Sequence, residues 1–239
     1  MNLTEKILTG SECLNSYLDG GISRESITLI YGEPETGKTT LATQCAVHCA
    51  LNGRKVLFVD CDGTFSPKRL LQLSLEKFEN VAELIILVKP TNFEEQTAFI
   101  EHLPNYLEKN VGLVVIDTFT SLYRLKVAES SGKAFSLNRE LNRQMALLAQ
   151  TTKTQKIPII VVSQVSSILS ETSVSVAPVA TRVLKFWADT IIAMKPTEVP
   201  QVINAVLEKT STQQDSFLGK TLSCSLRIDR TGIHDYQFQ

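Results

Sequence analysis

The sequence predicts an α/β fold, with a mostly parallel central sheet flanked by helices and antiparallel strands added at its C-terminal edge. Three observations carry this expectation. Short runs of Val, Ile and Leu, such as residues 56–60 (VLFVD), 112–117 (GLVVID) and 158–164 (PIIVVSQ), alternate with helical patterns along most of the chain. These runs are apolar at consecutive positions, the mark of strands buried on both faces. Another strand-like run leads straight into a glycine-containing turn and then a helix, the setting in which a parallel sheet presents a phosphate-binding loop.

Taken in order, residues 26–31 (SITLIY) form the first strand, and residues 37–51 follow as a helix burying Leu41, Cys45, Ala46 and Cys49. After strand 56–60, Ser66 offers an N-cap and Pro67 the favoured first helical position, opening a helix to about residue 77. Residues 84–88 (LIILV) are the next strand, followed by helical residues 93–109, broken or kinked at Pro104. Between strands 112–117 and 158–164, Leu137, Leu141, Met145, Leu148 and Ala149 repeat at helical spacing and predict an amphipathic helix over 135–153. Residues 165–181 (VSSILSETSVSVAPVAT), rich in Ser, Thr and small residues, read as a long loop. Three strand-like runs, 189–194, 202–207 and 222–229, close the chain and read as antiparallel additions to the sheet edge. No internal repeat, low-complexity tract or Pro/Gly linker divides residues 1–239, so one domain is expected.

Composition narrows the function classes. With 24 Lys+Arg against 25 Asp+Glu, the net charge of -1 argues against coating nucleic acid by bulk charge, though not against a local basic patch. Apolar stretches such as residues 157–162 fall far short of the roughly 18 residues of a membrane span. The first ten residues lack the charged and apolar regions of a signal peptide, so a soluble cytoplasmic protein is expected. Five cysteines show no CxxC or CxxH spacing and no ligand cluster with the three histidines. They read as reduced core residues in a reducing compartment, against a metal site or disulfide framework.

The chemistry is concentrated in residues 32–40, GEPETGKTT, which satisfy GxxxxGK[ST] in full. Gly32, Glu33, Pro34, Glu35, Thr36, Gly37, Lys38, Thr39 and Thr40 make a loop whose backbone N–H groups and helix N-terminus surround a nucleotide β-phosphate. Lys38 reaches the β- and γ-phosphates, and the Thr39 hydroxyl ligates Mg²⁺. Asp117 ends a buried strand at the sheet edge where the loop also lies, which makes it the carboxylate of the Mg²⁺ shell, the Walker B position.

Residues 60–67 (DCDGTFSP) and the following KRL resemble the [ILV]D-x-E-G-T-F-x-P-x-R-L signature of the RecA/RadA recombinase superfamily. Upstream, residues 7–42 are similar to the family's TG-x-x-x-L-D-x-L-L-x-G-G-I segment and phosphate loop. Residues 113–124 (LVVIDTFTSLYR) and 157–165 (IPIIVVSQV) resemble its Walker B strand and its strand ending in a sensing glutamine. The likeness runs through essentially the whole chain in order.

This resemblance implies a RecA-type P-loop NTPase core using ATP and Mg²⁺. It places Asp62 at the catalytic glutamate, Gln164 as the γ-phosphate sensor, and Arg69 over the adenine face. Lys209 becomes a contact to the nucleotide of a neighbouring subunit in a homo-oligomer. Aspartate is shorter than glutamate by about 1.5 Å, so slow hydrolysis is expected. The family binds DNA through two loops. Near the first lie Arg124, Lys126, Lys133, Arg139 and Arg143 with Tyr123 and Phe135, a basic cluster with aromatics. The second, residues 165–181, contains no Lys or Arg, and Arg182 and Lys185 come only after it. The motifs begin near residue 9, leaving no room for an N-terminal helical DNA-binding domain, as in the RadB-type archaeal paralogues. Those are associated with ATP binding, feeble ATPase activity, DNA binding without strand exchange, and partnership with RadA and a Holliday-junction resolvase. For this chain the expected DNA is single-stranded or branched. Two alternatives stay open: a KaiC-type regulatory ATPase that acts on proteins without DNA, and a minimal strand-exchange recombinase.

Overall fold

The computed structural model describes residues 6–130, 132–164, 176–210 and 222–237. In order along the chain come α1 (Glu12–Tyr17), β1 (Ile27–Gly32), α2 (Lys38–Leu51), β2 (Lys55–Asp60), α3 (Pro67–Ser74), a 3₁₀ turn (Leu75–Lys77), α4 (Phe78–Ala82) and β3 (Ile85–Val88). There follow α5 (Phe93–Tyr106), β4 (Val111–Asp117), α6 (Ser121–Glu129), α7 (Ala134–Gln155), β5 (Ile159–Gln164), α8 (Val176–Trp187), β6 (Thr190–Pro196), β7 (Val202–Lys209), β8 (Leu222–Ile228) and β9 (Ile233–Asp235). The strands form a single sheet in the order β3-β2-β4-β5-β1-β6-β7-β8-β9.

Strands β1 to β6 pair in parallel, and β7, β8 and β9 are antiparallel. Alternate residues of the central strands serve different layers. Phe58, Val115 and Ile160 pack with Leu41, Cys45 and Cys49 of α2. Leu57, Val114 and Val161 pack with Ile100 of α5, Leu141, Met145 and Leu148 of α7, and Leu184 of α8. Helices on both faces explain the unbroken apolar runs. Burial of each large aliphatic side chain contributes about 2 kcal/mol.

Several expectations need correction. The first of the three closing strands, β6, is parallel to β1 and lies inside the sheet. Helix α8 supplies the crossover that this direction requires. It begins at Val176, inside the stretch read as a loop, while residues 165–175 lie outside the described residues. Helix α5 continues through Pro104 to Tyr106. The helix expected from Ser66 to about residue 77 is shorter, because Leu75 adopts φ 52° after Ser74. The Ser66 cap itself forms, accepting from the Arg69 N–H.

The cysteine reading is also corrected. Cys13 and Cys224 form a disulfide across 211 residues, whereas Cys45, Cys49 and Cys61 are free and buried as expected of core residues. Packing of α1 beside β8 brings the two Cα atoms within 6.0 Å, a proximity that local spacing along the chain does not encode. No helix among the described residues is long and apolar enough to cross a membrane.

Candidate functional site

The register of the parallel strands gathers the site at their carboxyl ends. Gly32 of β1 is paired with Gln164 of β5, and Asp60 of β2 with Asp117 of β4. From Gly32 the chain turns into α2, whose N-cap Gly37 has φ 80°, a left-handed conformation that favours glycine. A Cβ on Gly32 would stand 2.1 Å from the Met194 carbonyl oxygen, so the loop closes there only on glycine. Glu33, Pro34 and Glu35 are exposed, and Thr36 Oγ1 donates to the Glu33 carbonyl at 2.8 Å.

Lys38 is buried at the head of α2. Its Nζ donates to the Glu33 carbonyl and lies 3.4 Å from Thr36 Oγ1. Burial lowers its pKa, opposed by the charges of Asp117 and Glu33. Gly37, Lys38, Thr39 and Thr40 line a cleft of about 280 Å³ with Glu35 and Ile228. It adjoins a larger one of about 490 Å³, where Glu35, Thr40 and Ile228 recur beside Arg69, Gln72, Gln201, Asp229 and Arg230. A phosphate-sized recess thus opens into space for a larger group. Arg69 stands on the wall of that space, its Nη1 donating to Gln72 Oε1 (3.1 Å) and to the Arg230 carbonyl (3.0 Å). Burial lowers the Arg69 pKa, while Asp229 acts in the opposite direction.

Asp117 is only 1% exposed, and burial pushes its pKa up to about 6, against hydrogen bonds from Thr39 and Thr118. Thr118 Oγ1 donates to Oδ1 at 3.0 Å, and Oδ2 is buried without a hydrogen-bond partner. An orphaned carboxylate oxygen beside the Thr39 hydroxyl suits a hard, oxygen-ligated cation, so these residues fit Mg²⁺.

Asp62 is exposed at the turn after β2. Its Oδ1 accepts from Thr64 Oγ1 (2.7 Å) and the Thr64 N–H (3.3 Å). Asp60, which sequence reasoning treated only as a strand end, is 2% exposed and accepts the same Thr64 N–H at 3.0 Å. Its Oδ2 is buried without a hydrogen bond, 3.6 Å from Lys89 Nζ. Its signal was the aspartate that opens the DCDGTF segment. Gln164 is half-buried, and its carbonyl receives Arg124 Nη2.

The Rad51 family model matches residues 3–233. The chain belongs to the Rad51 family. Within this part of the RecA/RadA superfamily its likeness is to RadB-type members. It is 34% identical over 232 residues to the DNA repair and recombination protein RadB of Thermococcus kodakarensis, covering 96% of this chain and 99% of that one. It is 32% identical over 196 residues to the RadB of Methanococcus maripaludis strain C7, covering 82% of this chain and 87% of that one. A crystal structure of the RadB recombinase superposes with a TM-score of 0.77 at 32% identity, covering 97% of this chain and 100% of that one. The RecA-type fold expected from the sequence is therefore the fold of the protein.

For this Rad51-family chain the basic cluster divides sharply. Arg124 is held inside by the Gln164 carbonyl, and burial lowers its pKa. Lys126 Nζ lies 2.6 Å from Glu94 Oε1. Arg143 binds both Glu101 and Glu140, which raise its pKa. Lys133, Arg139 and Arg182 are exposed. Of the two aromatics, Phe135 is 78% exposed, but Tyr123 is fully buried and bonded to Asn138, which removes it from any stacking surface. Lys185 is tied to Glu208 and Tyr31, each at 2.7 Å. Lys209 pairs with Ile191 near the amino end of β6, the sheet edge away from the phosphate loop, and its Nζ donates to the Ala188 carbonyl. It lines neither of the two clefts beside the head of α2 in its own chain.

Proposed function

We propose that this chain is an ATP-binding, weakly ATP-hydrolysing accessory protein of homologous recombination and DNA repair, built as one RecA-like core and acting on DNA in the cytoplasm. The nucleotide part rests on one observation above all: buried Lys38 and the orphaned oxygen of buried Asp117 meet at the head of α2. Both are suited to a cation-bound phosphate chain. Lys38 exchanges the Glu33 carbonyl for β- and γ-phosphate oxygens. Thr39 and Asp117 would hold Mg²⁺, which neutralises phosphate charge when bound. Arg69 lies against the base.

Asp62 orients or deprotonates the attacking water. Its carboxylate is occupied by Thr64 and is one carbon shorter than glutamate, and both features favour slow turnover. Gln164, beside Gly32, passes the state of the γ-phosphate to the segment that begins at residue 165. Lys209 reaches a neighbouring copy in a homo-oligomer.

The names of the relatives, DNA repair and recombination proteins, support the role in recombination. A RadA-type recombinase, with a Holliday-junction resolvase as a second candidate, is the partner that the motif resemblance to RadB-type paralogues implies. Internal pairing of Arg124, Lys126 and Arg143 favours the alternative of a regulatory ATPase that acts on proteins without DNA. Fluorescence anisotropy with labelled single-stranded and branched DNA, with and without ATP, separates the two. Binding at low salt supports the recombination reading, and its absence in every condition supports the alternative.

A further inference from the structure

Cys13 and Cys224 join α1 to β8 across 211 residues of chain. Around this bond, α1 and the β8–β9 hairpin share further contacts. Ser11 Oγ donates to Asp235 Oδ1, and the Cys13 N–H donates to Asp235 Oδ2 at 3.0 Å. Beside them lies the buried side chain of Gln44, on the phosphate-loop helix. It donates to the carbonyls of Thr9 (3.1 Å) and Ile233 (3.0 Å) and accepts from the Ile233 N–H (2.8 Å). The turn of the hairpin carries Asp229 and Arg230 into the larger cleft, where the Arg230 carbonyl receives Arg69. Among the described residues strand β9 is three residues long and pairs with β8 alone, and the bonds from Ser11, Cys13 and Gln44 add to that pairing.

The remaining cysteines are poor competitors for thiol chemistry. Cys45, Cys49 and Cys61 are buried, and burial pushes the Cys45 and Cys49 thiols up to about 12 and raises Cys61 as well. Cys13, by contrast, is partly exposed, while Cys224 is buried.

We propose that the Cys13–Cys224 bond is a reversible thiol–disulfide exchange site whose state sets how firmly the β8–β9 hairpin closes the wall of the larger cleft. The reductant is a dithiol. One of its thiolates attacks Cys13 Sγ, forming a mixed disulfide, while the bond to Cys224 breaks and Cys224 leaves as a thiolate that takes up a proton. The second thiol of the reductant then attacks the mixed disulfide. Cys13 leaves and is protonated, and the reductant ends as its own disulfide, two electrons and two protons having passed to the protein. Leu14, Leu18 and Ile22 stay packed in the core, so reduction slackens the arm without unfolding it. A consequence for nucleotide affinity rests on the reading of the cleft as an ATP site.

The test compares oxidised protein, dithiothreitol-treated protein and a Cys13→Ser/Cys224→Ser variant. Denatured oxidised protein should take up iodoacetamide at three thiols, and native reduced protein at the partly exposed Cys13, with the buried Cys224 labelled only after denaturation. Five reactive thiols in the denatured oxidised protein would overturn the site. Amide hydrogen exchange over residues 228–235 should accelerate several-fold on reduction and in the variant, where the reductant then changes nothing. Equal exchange in the two redox states would overturn the proposed control of the hairpin. Affinity for a fluorescent ATP analogue should fall several-fold on reduction while pyrophosphate affinity holds. Absence of nucleotide binding in both states would refute the ATP reading alone, since labelling and amide exchange do not depend on it.

Discussion

Asp60 and Asp117 are register partners at the carboxyl ends of β2 and β4, and each carries a buried carboxylate oxygen without a hydrogen-bond partner. Native interiors rarely leave such atoms unsatisfied. The cost is concentrated at Asp117, where burial comes first and the charges of Asp62 and Asp60 add to it. A cation at this edge would relieve it.

Stability should therefore depend on Asp117 in a defined direction. Its pKa rises from 3.8 to about 6 on folding, so between those values the folded chain keeps a proton that the unfolded chain has released. The contribution of this group to stability falls as pH rises from about 4 to about 6 and is then constant, a loss of about 3 kcal/mol. In thermal melts without nucleotide, Asp117→Asn should melt higher than the natural protein at pH 7 and equal to it near pH 4. The variant should also lose the added stability conferred by Mg²⁺ with ATP. A lower melting temperature at pH 7 would contradict the assigned strain.

Asp62→Glu should raise the rate of ATP hydrolysis. The extra carbon extends the carboxylate by about 1.5 Å beyond the turn where Thr64 holds it. Errors of about 1 Å in positioning cost up to a hundredfold in rate, so a gain of roughly tenfold or more with KM little changed is expected. A flat or reduced rate in a steady-state phosphate-release assay would mean that another step limits turnover.

The division within the basic cluster predicts different effects on DNA. Arg139 is exposed and has no acidic partner among the described residues, whereas Arg143 is committed to Glu101 and Glu140. Arg139→Ala should weaken single-stranded DNA binding and reduce the salt slope by about 1. Arg143→Ala should leave both nearly unchanged and lower the melting temperature slightly. Anisotropy titrations at several salt concentrations decide this, and a larger DNA effect at Arg143 would reverse the assignment.

What the sequence disclosed depends on how local each signal is. Strands β2, β4 and β5 were legible because burial on both faces demands unbroken apolar runs. The turn from β1 into α2 was legible because glycine, lysine and threonine at fixed spacing answer one local geometry. The direction of β6 was lost with its crossover helix. Pro178 and the β-branched residues of 176–187 disguise α8, although proline is tolerated in a first helical turn. The Cys13–Cys224 bond joins residues far apart in sequence, so no spacing rule reaches it. Tyr123 shows that an aromatic among basic residues says nothing of which way it faces.

The central claim is that the cleft at the head of α2 binds ATP through Lys38. Equilibrium titration of a fluorescent ATP analogue with Mg²⁺ tests it most directly, comparing the natural protein with Lys38→Ala and using melting curves to verify folding. Binding by the natural protein and a loss of roughly ten- to a hundredfold in the variant are predicted, the worth of a charge-assisted contact to phosphate. Equal affinity in the two proteins would contradict the account.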